Sequence, residues 1–129
     1  MKKQIKVKPG DYKAWYNQGI VMKNTGRWAE AIAAFDKAIA SKTDYDQAWQ
    51  NRGIALSDLG RFEEAIASYD MALKLQPGNR EAWYYRGVAL KNLGKLEEAI
   101  ASFDNAIVLK VTYKKFNIFL QSLSSLKRH

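Results

Sequence analysis

Ala14–Ile20 reads AWYNQGI; 34 residues on, Ala48–Ile54 reads AWQNRGI, and 34 further on, Ala82–Val88 reads AWYYRGV. The echo continues outward from there. Residues 24–39, NTGRWAEAIAAFDKAI, return as DLGRFEEAIASYDMAL and again as NLGKLEEAIASFDNAI. Cutting the chain as 12–45, 46–79 and 80–113 gives ten columns identical in all three units, and the second and third units share 17 of 34 residues. Self-similarity at a fixed period of this length marks a stacked helical array, in which each unit buries its apolar face against the next.

Each unit reads as two helices. The first spans about Asp11–Asn24, Asp44–Asp58 and Asn79–Asn92. Asp11, Asp44 and Asn79 are suited to cap the helix start, because a short side-chain oxygen accepts from an orphan backbone N–H. Gln47, three residues after Asp44, would complete a capping box. Gly26, Gly60 and Gly94 stop the first helix where a left-handed backbone is needed. Gly19, Gly53 and Gly87 remove a side chain from the first helix, and Ala31, Ala65 and Ala99 nearly do so on the second, so the paired axes can approach closely. Trp15, Trp49 and Trp83, with Phe35, Tyr69 and Phe103 in the next layer, are assigned to the core, since large apolar residues at helical spacing face inward.

These residues resemble the tetratricopeptide repeat family, whose 34-residue pattern is W-x2-L-G-x2-Y, then A-x3-F, then P. Trp49, Gly53, Ala65, Tyr69, Ala72 and Pro77 match it in order, and the match extends over residues 12–113. The departures are local. The leucine slot holds Gln18, Arg52 and Arg86, and the tyrosine slot holds Met22, Leu56 and Leu90. Thr43 and Val111 replace the closing proline, which lengthens the second helix of units one and three if nothing else stops it. The resemblance implies an all-α fold, a right-handed superhelical solenoid of antiparallel helix pairs.

The ends differ from the body. IKVKPGD at residues 5–11 echoes LKLQPGN at 73–79, so residues 1–11 read as the remnant of a preceding repeat and the chain as a segment of a longer array. Residues 114–129 read as a C-terminal capping helix, giving about seven helices in all. Tyr113, Phe116, Phe119, Leu120, Leu123 and Leu126 fall in one apolar stripe suited to cover unit three, with only Ile118 off it. Two other uses of that helix stay open: a basic amphipathic segment that binds a membrane surface or a calmodulin-like partner, and self-association through the unfinished end.

The formal net charge of +8 on 129 residues raises the question of nucleic acid. Residues 1–11 hold four Lys and one Asp, residues 114–129 three Lys and one Arg with no acid, and the 102 residues between are left with +1. The ends alone are basic, which suits weak, salt-sensitive attachment and no specific nucleic-acid readout. Chemistry has little to work with. The chain has no Cys, its single histidine is His129, and no phosphate loop or Ser/His/Asp set occurs. No catalytic residue, cofactor or metal is therefore assigned. The absence of a long apolar run, of a signal-like segment and of Cys makes the cytoplasm the expected compartment.

What remains is surface. The resemblance implies a concave groove, lined by the first helix of each unit, that binds a peptide or partner segment. Carried onto this chain, the groove presents Lys13, Tyr16, Asn17, Ile20 and Asn24 from unit one, and Gln47, Gln50, Asn51, Ile54 and Asp58 from unit two. Unit three supplies Glu81, Tyr84, Tyr85, Val88, Lys91 and Asn92. Lys13 and Lys91 are offset by Asp58 and Glu81. Family members that grip a chaperone's C-terminal carboxylate use a clamp of lysines, asparagines and arginine. The corresponding positions are Tyr16, Ile20, Asn51, Glu81 and Tyr85, of which only Asn51 fits. The expected function is a protein–protein interaction module, with homo-oligomer formation through the terminal repeats as the alternative.

Overall fold

The computed structural model describes residue 8 and residues 10–127. Among these are six helices: α1 (Tyr12–Asn24), α2 (Trp28–Ser41), α3 (Asp46–Asp58), α4 (Phe62–Leu75), α5 (Arg80–Asn92) and α6 (Leu96–Lys127). They pair as α1/α2, α3/α4 and α5/α6, and the pairs stack in chain order into a superhelix, α2 on α3 and α4 on α5. The repeat remnant at residues 1–11 falls mostly outside the described residues.

Two of the three expected caps form. Asp11 Oδ1 accepts from the Ala14 N–H at 3.1 Å and Asn79 Oδ1 from the Ala82 N–H at 3.2 Å. Asp44 does not cap. Its carboxylate lies 3.4 Å from Lys42 Nζ, and α3 starts two residues later, at Asp46, with Tyr45 at the cap position. The Tyr45 ring is held edge-on by Tyr12 and Tyr16, with centroids 5.4 and 5.0 Å away, and that packing fixes where α3 begins. At the other end of each first helix, Gly26, Gly60 and Gly94 stand at φ of 77–78°. The following N–H then bonds back to the carbonyl five residues earlier, as Arg61 does to Leu56 at 2.9 Å.

The second glycine column has a different cause. A Cβ on Gly53 would stand 2.5 Å from Tyr69 Cε1, so the ring of α4 lies directly on the backbone of α3. Gly19 with Phe35 and Gly87 with Phe103 repeat the arrangement. Phe35 and Tyr69 are almost wholly buried, in one cluster with Ala31, Ala55, Leu56, Ala65 and Ala89. The tryptophans are not core residues in that sense: Trp15, Trp49 and Trp83 are only half-buried. The Trp49 and Trp83 indole N–H groups donate to the carbonyls of Thr43 and Pro77 at 2.9 and 3.0 Å, while a cation covers each ring. Trp15 and Trp49 pack on the edge of a second buried cluster of Ala38, Ile39 and Ala48, so they belong to the rim of the core, at the turn between repeats, rather than to its centre.

The departures in the leucine slot acquire a reason here. Arg52 Nε donates to Asp36 Oδ1 of the preceding unit at 2.6 Å, and its Nη1 to Ser68 Oγ of its own unit at 2.6 Å. Arg86 does the same to Asp70 at 2.7 Å and Ser102 at 2.6 Å. One guanidinium thus clips three helices, and the recurring aspartate is one of its anchors. Gln18 holds this slot in unit one, and its Oε1 is buried without a partner. Arg52→Leu restores the family residue but orphans the fully buried Ser68 hydroxyl. It is expected to destabilise the array by about 1–3 kcal/mol in urea unfolding. An unchanged midpoint would show that the clip carries no stability.

α6 differs most from expectation. Residues 114–127 form no helix of their own; they continue α6, which is 32 residues and about 48 Å long. Unit two ends its second helix at Leu75, ahead of Gln76-Pro77-Gly78, and unit one at Ser41 even without proline. Unit three has Lys110-Val111-Thr112, and residues 106–116 contain no Gly, Pro, Asp or Asn to break the helix. The stripe from Tyr113 to Leu126 therefore does not cover unit three, and all six of its residues are exposed.

Candidate functional site

The first turns of α3 and α5 and the middle of α1 face a shared groove of about 960 Å³. Seven of the sixteen expected residues line it: Tyr16, Gln47, Gln50, Asn51, Ile54, Glu81 and Tyr85. Lys13, Asn17, Ile20, Asn24, Asp58, Val88, Lys91 and Asn92 lie outside that space. Ile20 packs on the core cluster, and Asn24, Asp58 and Asn92 end their helices. Tyr84 sits on the array's end face instead, 52% exposed. Its column partner Gln50 is buried, because the next repeat covers it.

The polar residues of the groove are bonded to one another. Asn51 Nδ2 donates to Tyr16 Oη at 3.1 Å and to the Gln47 carbonyl at 2.9 Å, while its Oδ1 accepts from Lys23 Nζ at 2.8 Å. Tyr16 Oη donates to Gln47 Oε1 at 3.4 Å. On the next step, Gln50 accepts from Asn79 and donates to Glu81 Oε2 at 3.4 Å. Burial, reinforced by Tyr45 and Asp46, raises the Tyr16 pKa above the ordinary tyrosine value. Burial also lowers the Lys23 pKa, against the pull of Asp58. Asn51 is thus engaged with the groove itself and fixes Tyr16 and Lys23 in place. Gln47 stays exposed, as does Glu81, although both also bond within the groove.

Sequence reasoning missed one wall entirely. Leu109, Thr112, Tyr113 and Phe116 of α6 line the same groove, opposite the helix starts. They reach it only because α6 runs straight through 110–113, and no repeat column signals that. Lys23 was accessible to reasoning, since it lies one and two turns beyond Ile20 and Tyr16 on the same face of α1. The groove's charged lining, Lys23 and Arg80 with Asp46 and Glu81, is balanced.

Stacked antiparallel helix pairs at a 34-residue period, curving around a polar-aromatic groove, define a helical-repeat protein of the interaction-module class. The chain belongs to the tetratricopeptide repeat family: profiles described as tetratricopeptide repeat match residues 12–45 and 51–110, together 94 of its 129 residues. No curated protein matches it. Among solved structures it is similar to MamA at 26% identity and a TM-score of 0.81, covering 84% of this chain and 63% of that one. The chain thus spans less than two thirds of the MamA chain. It is also similar to the second repeat domain of Spaghetti (RPAP3), solved bound to HSP90 peptide SRMEEVD, at 26% identity and a TM-score of 0.74. That match covers 76% of this chain and 91% of the other. The Arabidopsis OM64 repeat domain matches at 25% identity and a TM-score of 0.76, covering 78% of this chain and 84% of the other. Among the described residues no helix is long and apolar enough to cross a membrane.

Proposed function

We propose that the chain is a protein–protein interaction module that holds a partner segment in the concave groove, between the starts of α3 and α5 and the wall of α6. The observation that carries this is the convergence of Tyr16, Ile54, Tyr85, Tyr113 and Phe116 on one space whose polar groups are already braced. Tyrosines contribute large contact area with little rotamer entropy to lose, and a pre-bonded frame limits the ordering cost of binding. The RPAP3 repeat domain, a structural neighbour, holds a peptide, which supports this kind of use. The acidic SRMEEVD peptide is a poor candidate for this groove, because Glu81 stands where the family's clamp needs a cation.

The test is selection of binders from a random peptide library, followed by titration on variants. Tyr85→Ala and Phe116→Ala are each expected to weaken a selected peptide about tenfold or more, and SRMEEVD is expected not to compete. Peptides indifferent to both variants, but lost in high salt, would assign binding to the basic ends instead.

A further inference from the structure

Besides the stripe on its groove side, α6 carries a second apolar seam, formed by Leu96, Ile100, Ile107, Val111 and Ile118. Lys114 interrupts it once, five turns from Leu96 on the same line, and its long side chain can lie along the seam with its charge at the edge. The steps from Leu96 to Ile107 and from Ile107 to Ile118 are eleven residues each, three helical turns, so the seam stays in line from the body into the overhang. Its residues are 60, 58, 59, 45 and 55% exposed. Ile118, out of place in the first stripe, belongs here. Beside the seam, between α5 and α6, lies a cleft of about 570 Å³ bordered by Tyr84 and Phe103. Charge divides along the same helix. Residues 96–108 hold Glu97, Glu98 and Asp104 with no base, and residues 109–127 hold Lys110, Lys114, Lys115 and Lys127 with no acid. The helix dipole accounts for charge in the terminal turns only; Asp104 and the three lysines from 110 to 115 lie inside.

We propose that the seam is an interface for a second copy of this chain, with α6 pairing antiparallel to α6 about a two-fold axis at Ile107. That axis sets Ile107 on the partner's Ile107 and Leu96 on the partner's Ile118. The acidic half then lies along the basic half. Glu97 and Lys115, five turns apart and on the same flank of the seam, meet their opposites in the other copy. A two-fold contact must be self-complementary, and this spacing and charge order are. The five seam residues and Tyr84, each about half exposed, form one apolar strip, the kind of centre that an interface of ~800 Å² per partner is built around. The seam and the groove are on different sides of α6, although the cleft beside the seam shares Arg80, Glu81 and Tyr85 with the groove; mass and cross-linking read the pairing without reference to peptide binding.

Light scattering across a wide concentration range is expected to give a particle of twice the 14.7 kDa chain mass. Ile107→Glu should return the monomer with unchanged circular dichroism, since Ile107 is an exposed residue. Glu97→Lys and Lys115→Glu should each weaken the dimer about tenfold, and the double variant should recover it. The chain has no Cys, so Ile107→Cys places one thiol at the axis and should oxidise to a covalent dimer. Leu96→Cys should not, because its counterpart would be about 33 Å away. A monomer at every concentration, an open-ended size series, a dimer indifferent to Ile107→Glu, or cross-linking through Leu96→Cys would each overturn the proposal.

Discussion

Tyr69→Ala is expected to lower the stability of the array by about 3–5 kcal/mol, a large part of the 5–15 kcal/mol typical of a domain this size. The ring is 1% exposed. One edge lies on the backbone of Gly53, one face stacks on Tyr85 at 6.1 Å, and the hydroxyl sits 3.3 Å from Ser57 Oγ. Removing it opens a cavity where units two and three meet, so both lose contacts. Trp49→Ala provides the comparison. Trp49 is the larger residue and the family's signature, yet it is half-buried at a turn, and its loss should cost clearly less. Urea unfolding of the two variants decides between them. If Trp49→Ala proves as costly as Tyr69→Ala, the burial order described above does not govern stability.

Gly53→Leu is the second large effect, from too much volume rather than too little. A Cβ already falls 2.5 Å from the Tyr69 ring, and a whole isobutyl group must displace that ring or separate α3 from α4. A loss of about 3 kcal/mol, the upper end for overpacked cores, is expected. The pair is coupled by geometry. The double variant Gly53→Leu with Tyr69→Ala makes room for the new side chain and should lose at least about 1 kcal/mol less than the two single losses combined. Strict additivity in a double-mutant cycle would mean that the two positions do not meet in solution.

Much of this was legible in the sequence, and the reasons are specific. The period set the helix pairs because the same columns recur three times, and Gly53 and Gly60 could be told apart, one matched to a small residue of the second helix and the other ending a helix; that the Tyr69 ring itself lies on Gly53 shows only in the structure. Asp44 misled because its capping chemistry is sound in isolation; the aromatic contacts of Tyr45 with Tyr12 and Tyr16 are tertiary and outweigh it. The six-residue stripe at 113–126 has the pattern of a cap, but covering unit three requires a turn at 111–113 that Val111 and Thr112 do not make. From that one miss follow both the unseen wall of the groove and the seam that Ile118 joins. Asn51 was placed in the groove by its column, while its engagement with Tyr16 and Lys23 depended on side chains of the preceding unit.

The guanidinium clips also bear on how the molecule comes apart. Arg52 ties unit two back to unit one and Arg86 ties unit three back to unit two, and no unit touches any but its neighbours. Opening therefore spreads like the melting of a short one-dimensional lattice, with a fixed coupling at each boundary. α3 and α4 are braced on both sides and open last, while α1 and the far reach of α6 are braced on one side or none. Amide protection within residues 12–113 is accordingly highest in α3 and α4, the pair held by a guanidinium clip on either side.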